Sequence, residues 1–557
     1  MLIRLLSCFS ALLLLLGGCT TTLPLTQPGP AQNTLKRTYY QVKIKAHDGK
    51  TLAATVYQPA LQPGDSAPLI ISVHGFGGFR APRPFSIYGK TMLTGEAAIA
   101  AWKQGYWVIS YDQRGWGDSQ GVVHMGEADY DVKDVSDVID WAQKHLPGIK
   151  QMDNGEPAIG MIGESQGAAI QLLASMKDPR IQVITPIASY YNLNDMAPNG
   201  EMKTNWGAAM LTAGGISSGF DIGFMTRKPL SHAIWTGRAD SKVQHWFYQH
   251  SPASHCDAGT SPQSDALFIQ GYRDSLFDMD QAVENANCVR KGGHEARILA
   301  IQGGHILPWP VQSWSGKPLF NTDDNLYCGD YQVTMVQAVL DWWNEKLKGD
   351  TRKVPDYCIN LDYKEGLQPQ QFPLQNSETF NVPRSWVWVP MAGLFEWLMI
   401  PFDVGTDIAR DMWPGADMRF LKPNGGFGRP RFIPVYIAHQ KDALIGTPTI
   451  NLRVGGAGKS SGMKLFVGVG IQHAGQRRVH VASEHLTPLP GKGVYQQSLP
   501  SIATPLKAGD RVGLIVYGFT WQYFWNSAYI FRQATLSGSM TLPLTHYDYK
   551  DTNFLEH

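Results

Sequence analysis

Short runs of almost uninterrupted apolar residues recur along the first part of the chain, at 69–73, 107–111, 159–162, 183–184, 267–269 and 298–301. A strand without in-out alternation is buried on both faces, as in a parallel sheet covered by helices. Ahead of these runs, Tyr40, Val42 and Ile44 alternate with polar residues and an apolar stretch follows at 51–57, which predicts an opening antiparallel pair. Helical spacing falls between the strands. Val132, Val135, Ile139, Ala142 and Leu146 form one stripe, and Val333, Val336, Leu340, Trp343 and Leu347 form another, with Gly349 as its C-cap. Strand-helix alternation of this kind predicts a three-layer α/β fold.

Two stretches break the alternation. Residues 190–255 are rich in Met, Trp, Gly and Asn without a strand pattern, which predicts a helical cap inserted between strands. Residues 435–545 carry short strand patterns at 449–454, 464–469, 478–482 and 511–517, punctuated by Gly and Pro, and predict a jelly-roll β-sandwich. The expected plan is therefore a core made of 39–189 and 256–350, the cap at 190–255, a Trp-rich connecting segment at 351–434, and the sandwich. Trp386, Trp388, Trp397 and Trp413 mark the connecting segment.

The chain has 557 residues, 43% of them hydrophobic, enough for two or three full-sized cores. Lys+Arg number 48 against 47 Asp+Glu, so no basic excess draws a nucleic acid or an anionic membrane surface. At the start, Arg4 precedes an apolar run at 12–16 that is too short to span a bilayer and ends in Leu16-Gly17-Gly18-Cys19. Residues 1–18 are read as an export signal. Small residues before a cysteine resemble the bacterial lipoprotein box, with Cys19 acylated and residues 19–38 as a flexible tether. Thr20 in place of Asp favours outer-membrane sorting by that resemblance. Four cysteines remain, Cys256, Cys288, Cys328 and Cys358, and three pairings are possible. Spacing does not choose among them; Cys256 with Cys288 and Cys328 with Cys358 is the pairing adopted here. The spacing is too wide for a zinc knuckle, and no metal or organic cofactor is expected.

Gly163-Glu164-Ser165-Gln166-Gly167 matches G-x-S-x-G, a common pentapeptide whose context gives it meaning. It follows the run at 159–162 and opens the helical stretch 168–173. Strand, tight turn and helix with glycine on both sides of a serine form a nucleophile elbow, which aims Ser165 into the crevice at the carboxyl end of the sheet. A serine hydroxyl needs a base, and the base an orienting carboxylate, in the chain order Ser, acid, His. Asp274 lies in the first turn after the strand at 266–270, while Asp278 and Asp280 fall deeper, toward the next helix. His305 sits in the Gln302-Gly303-Gly304 loop after the strand at 297–301; His294 precedes that strand. The Gln166 and Phe76 backbone N–H groups are the expected oxyanion donors, Phe76 from His74-Gly75-Phe76-Gly77-Gly78 after the strand at 69–73. His74 itself is read as structural.

Asp112-Gln113-Arg114-Gly115-Trp116-Gly117-Asp118-Ser119 resembles the D-x-R-G-x-G-x-S segment of the CocE/NonD hydrolases, the cocaine-esterase and Xaa-Pro dipeptidyl-peptidase family. Gly271-Tyr272-Arg273-Asp274 resembles its acid loop, residues 340–349 its post-histidine helix, and Leu444-Ile445-Gly446-Thr447-Pro448 the entrance to its jelly roll. The resemblance implies an α/β-hydrolase fold with an inserted cap and a C-terminal jelly roll. It also implies a serine hydrolase that cleaves small esters or peptides through Ser165, His305 and Asp274. Many family members use an oxyanion tyrosine where this chain has His-Gly-Phe-Gly-Gly, which points to a backbone hole instead. Two alternatives stand beside a general esterase. One is an Xaa-Pro dipeptidyl peptidase, which needs a carboxylate such as Asp195 or Glu201 for the substrate's α-amino group. The other is a non-catalytic lipoprotein that binds glycans or a protein partner. Oligomeric state is left open.

Overall fold

The computed structural model describes residues 30–86, 92–223, 230–305, 325–361, 365–389, 431–439, 442–456, 464–476, 479–483, 485–518, 520, 522–523 and 532–546. The signal segment, Cys19, most of the tether, Trp397 and Trp413 lie outside these residues.

Among the described residues, ten strands form one sheet in the order β1-β2-β4-β3-β5-β6-β7-β8-β11-β12. In chain order they are β1 (Thr38–Lys45), β2 (Thr51–Gln58), β3 (Leu69–Val73), β4 (Trp107–Tyr111), β5 (Ile159–Glu164), β6 (Ile181–Ile187), β7 (Asp265–Gly271) and β8 (Ala296–Ile301). A hairpin of β9 (Asn325–Cys328) and β10 (Tyr331–Thr334) precedes β11 (Tyr357–Asn360) and β12 (Gly366–Leu367). β1, β2 and β12 pair antiparallel with their neighbours; the seven strands from β4 to β11 run parallel. The uninterrupted apolar runs are fully buried, with Leu69, Ile71 and Val73 facing one core and Ile70 the other.

The helices covering the sheet are α1 (Leu93–Lys103), α2 (Lys133–His145) and α3 (Gln166–Ser175). Residues 190–255 hold the helices α4 (Thr204–Ser217), α5 (Leu230–Thr236) and α6 (Ser241–Gln249), and α7 (Pro252–Asp257) begins at their end. Then come α8 (Met279–Lys291) and α9 (Met335–Trp343). Val135, Ile139, Ile170 and Ala282 pack on one face of the sheet, and Trp102, Val339 and Trp343 on the other, so α1 and α9 oppose α2, α3 and α8. The chain leaves β3 for β4 on one side and returns to β5 on the other. That reversal of direction opens a crevice at the carboxyl ends of β3 and β5, where ligands bind in open α/β sheets.

Two expectations change. Val333 belongs to the β9–β10 hairpin and not to the helix; α9 starts at Met335, capped by Thr334 Oγ1, which accepts from the Gln337 N–H at 3.1 Å. Valine at i−3 suits strand and helix alike, so spacing alone could not exclude it. Residues 351–434 are also more than a connection. β11 adds to β8 in the large sheet, and Glu378–Val389 pairs with Arg532–Leu542 in the C-terminal sandwich. There, Arg532–Leu542 lies beside Thr449–Gly456, and Arg511–Tyr517 lies between Arg431–Ile437 and Lys464–Gln472. Within the 478–482 pattern, the described residues form a strand at His480–Val481.

Cys256 on α7 is bonded to Cys288 on α8, and Cys328 on β9 to Cys358 on β11. Each closes a loop of about thirty residues, 32 and 30 apart in sequence. Loop closure of that length removes about 3–4 kcal/mol of unfolded-state entropy. Replacing either pair by serines is expected to destabilise the fold by up to that amount, read as a lower denaturant midpoint; an unchanged midpoint would contradict it.

Candidate active site

Ser165 lies between β5 and α3 with φ 52° and ψ −115°, a conformation that side chains avoid. The turn is tight because backbones meet on both sides of it. A Cβ on Gly163 would lie 2.7 Å from the Gly167 carbonyl, and one on Gly167 would lie 2.4 Å from the Val73 oxygen. Ser165 N–H donates to the Ile187 carbonyl at 2.9 Å, which ties the strained residue to β6.

The structure brings Ser165, His305 and Asp274 together. His305 Nε2 lies 2.9 Å from Ser165 Oγ, and His305 Nδ1 lies 2.9 Å and 3.1 Å from the two Asp274 oxygens. With Nδ1–H donating to the carboxylate, Nε2 is left to accept the serine proton. Asp274 is fully buried, and its remaining lone pairs are used. Oδ1 accepts from the Leu276 and Phe277 N–H groups at 2.9 Å, and Oδ2 from Gln270 Nε2 at 3.0 Å. Trp206 of α4 and Phe277 set their rings edge-on to the imidazole, at 5.1 Å and 5.4 Å between centroids. The acid and histidine loops touch through backbone: Arg273 N–H donates to the Gly303 carbonyl at 3.1 Å.

Asp278 and Asp280 stand apart from the imidazole. Asp278 caps α8, accepting from the Asp280 N–H, and Asp280 Oδ1 accepts from Thr447 and Ser501 of the sandwich. Burial pushes both carboxyls above the usual range, Asp278 well above it. His294 is next to Asp265, at the opposite end of its strand from His305.

Phe76 sits in the turn after β3, and Gln166 is the first residue of α3, whose leading N–H groups have no partner within the helix. His74 is buried, which lowers its pKa; Nδ1–H donates to the Gly75 carbonyl and Nε2 accepts from the Gln113 N–H at 3.0 Å. The Phe76 turn is also braced from below. Glu164 Oε1 accepts from the Gly75 N–H, and Trp116 packs edge-on against Phe76 at 4.9 Å. The 112–119 segment is itself locked: Asp112 accepts from the Arg80 and Asp118 N–H groups, and Arg114 pairs with Asp134 and Asp48.

Known proteins resemble this chain in part of its sequence and in its fold. Residues 48–307, from β2 past His305, match the model of the X-Pro dipeptidyl-peptidase (S15) family. An archaeal aminopeptidase from a marine-sediment Thaumarchaeota archaeon superposes with a TM-score of 0.62 at 13% identity, covering 95% of this chain and 99% of its own. An α-amino acid ester hydrolase gives 0.61 at 14%, with the same coverage. A CocE/NonD family hydrolase from Staphylococcus aureus gives 0.56 at 12%, covering 94% and 99%. At 12–14% identity these three structures share the fold of this chain, an α/β-hydrolase core with a β-rich C-terminal part. The chain is also 30% identical over 145 residues to an uncharacterized 31.7 kDa protein of the traX-finO intergenic region of Escherichia coli. That match spans 26% of this chain and 45% of the relative's length.

The neighbourhood of Ser165, His305 and Asp274 holds residues the sequence pattern did not mark. Lys203 Nζ donates to the Leu276 carbonyl at 2.8 Å and lies 3.3 Å from Asp195 Oδ2. His485, buried and from the sandwich, hydrogen-bonds the Asp274 backbone; burial, reinforced by Lys203, pushes its pKa well down and keeps it neutral. Glu201 pairs with Lys464 of the sandwich at 2.6 Å and with Arg238 at 4.0 Å. Of these, Glu201 is legible from sequence as a cap carboxylate, and Trp206 lies in the Trp-rich 190–255 stretch; Lys203, His485 and Lys464 carry no signal.

A Cβ at Gly271 would lie 2.0 Å from the Gly303 oxygen, with only backbone to give way. Gly271→Ala is expected to part the acid and histidine loops and to cost about 1–3 kcal/mol of stability. A thermal melt indistinguishable from wild type would contradict that contact.

Proposed function

We propose that the chain is a serine hydrolase that cleaves small esters or amides through an acyl-enzyme. The observation that carries the reading is the strained Ser165 within hydrogen-bond reach of an imidazole whose far nitrogen is held by a buried carboxylate. His305 takes the Ser165 proton as the oxygen attacks the carbonyl carbon, then returns it to the leaving group; Asp274 holds the tautomer and steadies the imidazolium. The Gln166 and Phe76 N–H groups carry the tetrahedral oxyanion at the α3 N-terminus. Water, deprotonated by His305, then releases the acyl group and frees Ser165. These steps need no metal or organic cofactor.

A second reading, an aminopeptidase on X-Pro peptides, is favoured by the matched family's description and by the aminopeptidase likeness. For placement in the cell, we propose export and anchoring at the bacterial outer membrane through acylated Cys19, on the strength of the 1–19 pattern. Among the described residues no helix is long and apolar enough to cross a membrane.

A fluorophosphonate probe is expected to label the wild type and not Ser165→Ala; equal labelling of both would sink the nucleophile assignment. Asp274→Asn is expected to lower kcat on p-nitrophenyl esters by on the order of 10³–10⁴-fold. In a parallel panel, faster cleavage of Xaa-Pro p-nitroanilides than of p-nitrophenyl esters would favour the second reading.

A further inference from the structure

We propose that Lys203 is a specificity-determining residue. Its ammonium engages, beside the triad, a carboxylate that a substrate α-ammonium would need, so the site selects acyl groups without an α-amino group. This rests on the hydrolase reading and refines its substrate class.

The placement of Lys203 supports the claim. It precedes α4 by one residue, one turn before Trp206, whose ring packs on His305. The Leu276 carbonyl that accepts from Lys203 belongs to the residue whose N–H holds Asp274. The ammonium is thus bonded to the acid loop itself, and its side chain is only 7% exposed. Asp195 Oδ2, its carboxylate partner, also accepts from the Asp278 N–H at 3.3 Å.

Recognition of a free α-amino group needs an anion that the protein has not already neutralised. The acidic groups clustered at this end of the site are accounted for one by one. Asp195 faces Lys203, and Glu201 faces Lys464 and Arg238. Asp274 holds His305 and three further donors. Asp278 and Asp280 are half-buried and hydrogen-bonded, and desolvation shifts both carboxyls toward the neutral form. Among the described residues around the acid loop, the internal amine occupies the position of counter-ion. An acyl chain that brings a second ammonium there meets Lys203, whereas an uncharged one does not.

The test compares methyl esters of phenylalanine and 3-phenylpropanoate, which differ by the amino group alone, at a pH where the amine is protonated. The wild-type full chain is expected to favour the 3-phenylpropanoate ester by about tenfold or more in kcat/KM. Lys203→Met keeps the apolar stem and frees Asp195. Its ratio of kcat/KM for the phenylalanine ester to that for the 3-phenylpropanoate ester is expected to rise about tenfold, through KM, with any loss from the missing Leu276 bond shared by both esters. Lys203→Arg keeps a cation and should retain the wild-type preference. The double variant Lys203→Met/Asp195→Asn leaves no unpaired charge at the pair and should return to the wild-type ratio, which also serves if the single variant folds poorly. A wild type that prefers the phenylalanine ester, or a Lys203→Met that depresses both esters alike, overturns the inference and leaves the hydrolase reading standing. Turnover of neither ester, with Ser165 unlabelled by a fluorophosphonate, overturns both.

Discussion

The backbone at Ser165 sits in a region of φ and ψ that costs about 1–3 kcal/mol for a residue with a side chain, and it is held there by backbone on every side. Val73 of β3 and its neighbour His74 press against Gly167, the Gly167 carbonyl presses against Gly163, and β6 accepts the serine N–H. Such close approach is possible only because β3, β5 and β6 are adjacent parallel strands with buried, uninterrupted apolar sequences. Relaxing the turn would move the hydroxyl off His305 and shift the start of α3. The sheet order and the two core layers therefore serve one geometric end.

The remaining parts of the site are supported from farther away. The acid loop is closed against the histidine loop by a backbone contact that only glycine at 271 permits, and it is held from its other side by the cap and the sandwich. Lys203, His485, Thr447 and Ser501 all reach residues between Asp274 and Asp280. Gln302, three residues before His305, donates to carbonyls of Asn360 and Ala503. The sandwich is thus continuous with the site's architecture. The 112–119 segment plays the matching part under the Phe76 turn: its charges are spent on Asp48, Asp134 and Arg80, and its tryptophan on Phe76.

These contacts also set the electrical character of the site. Burial raises the cost of a lone charge, so a carboxylate near the acid loop gains from pairing with a cation or from shifting toward its neutral form. Asp195 and Glu201 take the first course, Asp278 and Asp280 the second. The outcome is an internally compensated wall beside the imidazole. That compensation is a property of the assembled cap, core and sandwich, and no single element carries it.

The strand runs, the G-x-S-x-G turn and the order Ser165, Asp274, His305 could all be read along the chain, because each is a local pattern: a burial run, a glycine-flanked turn, a residue just past a strand end. The β9–β10 hairpin and the strands within 351–434 could not. Val333 fits both periods, and Tyr357–Asn360 becomes a strand only because β8 offers an edge to pair with. Nor could local pattern foresee that Asp195 and Glu201 are already neutralised. Lys203 is eight residues from Asp195 and Lys464 lies in another domain, so both pairings follow from how the cap folds over the core and meets the sandwich. Local sequence sufficed where one element makes the feature; where charges from separate elements meet in a low-dielectric interior, only the tertiary structure decided which of them remain free.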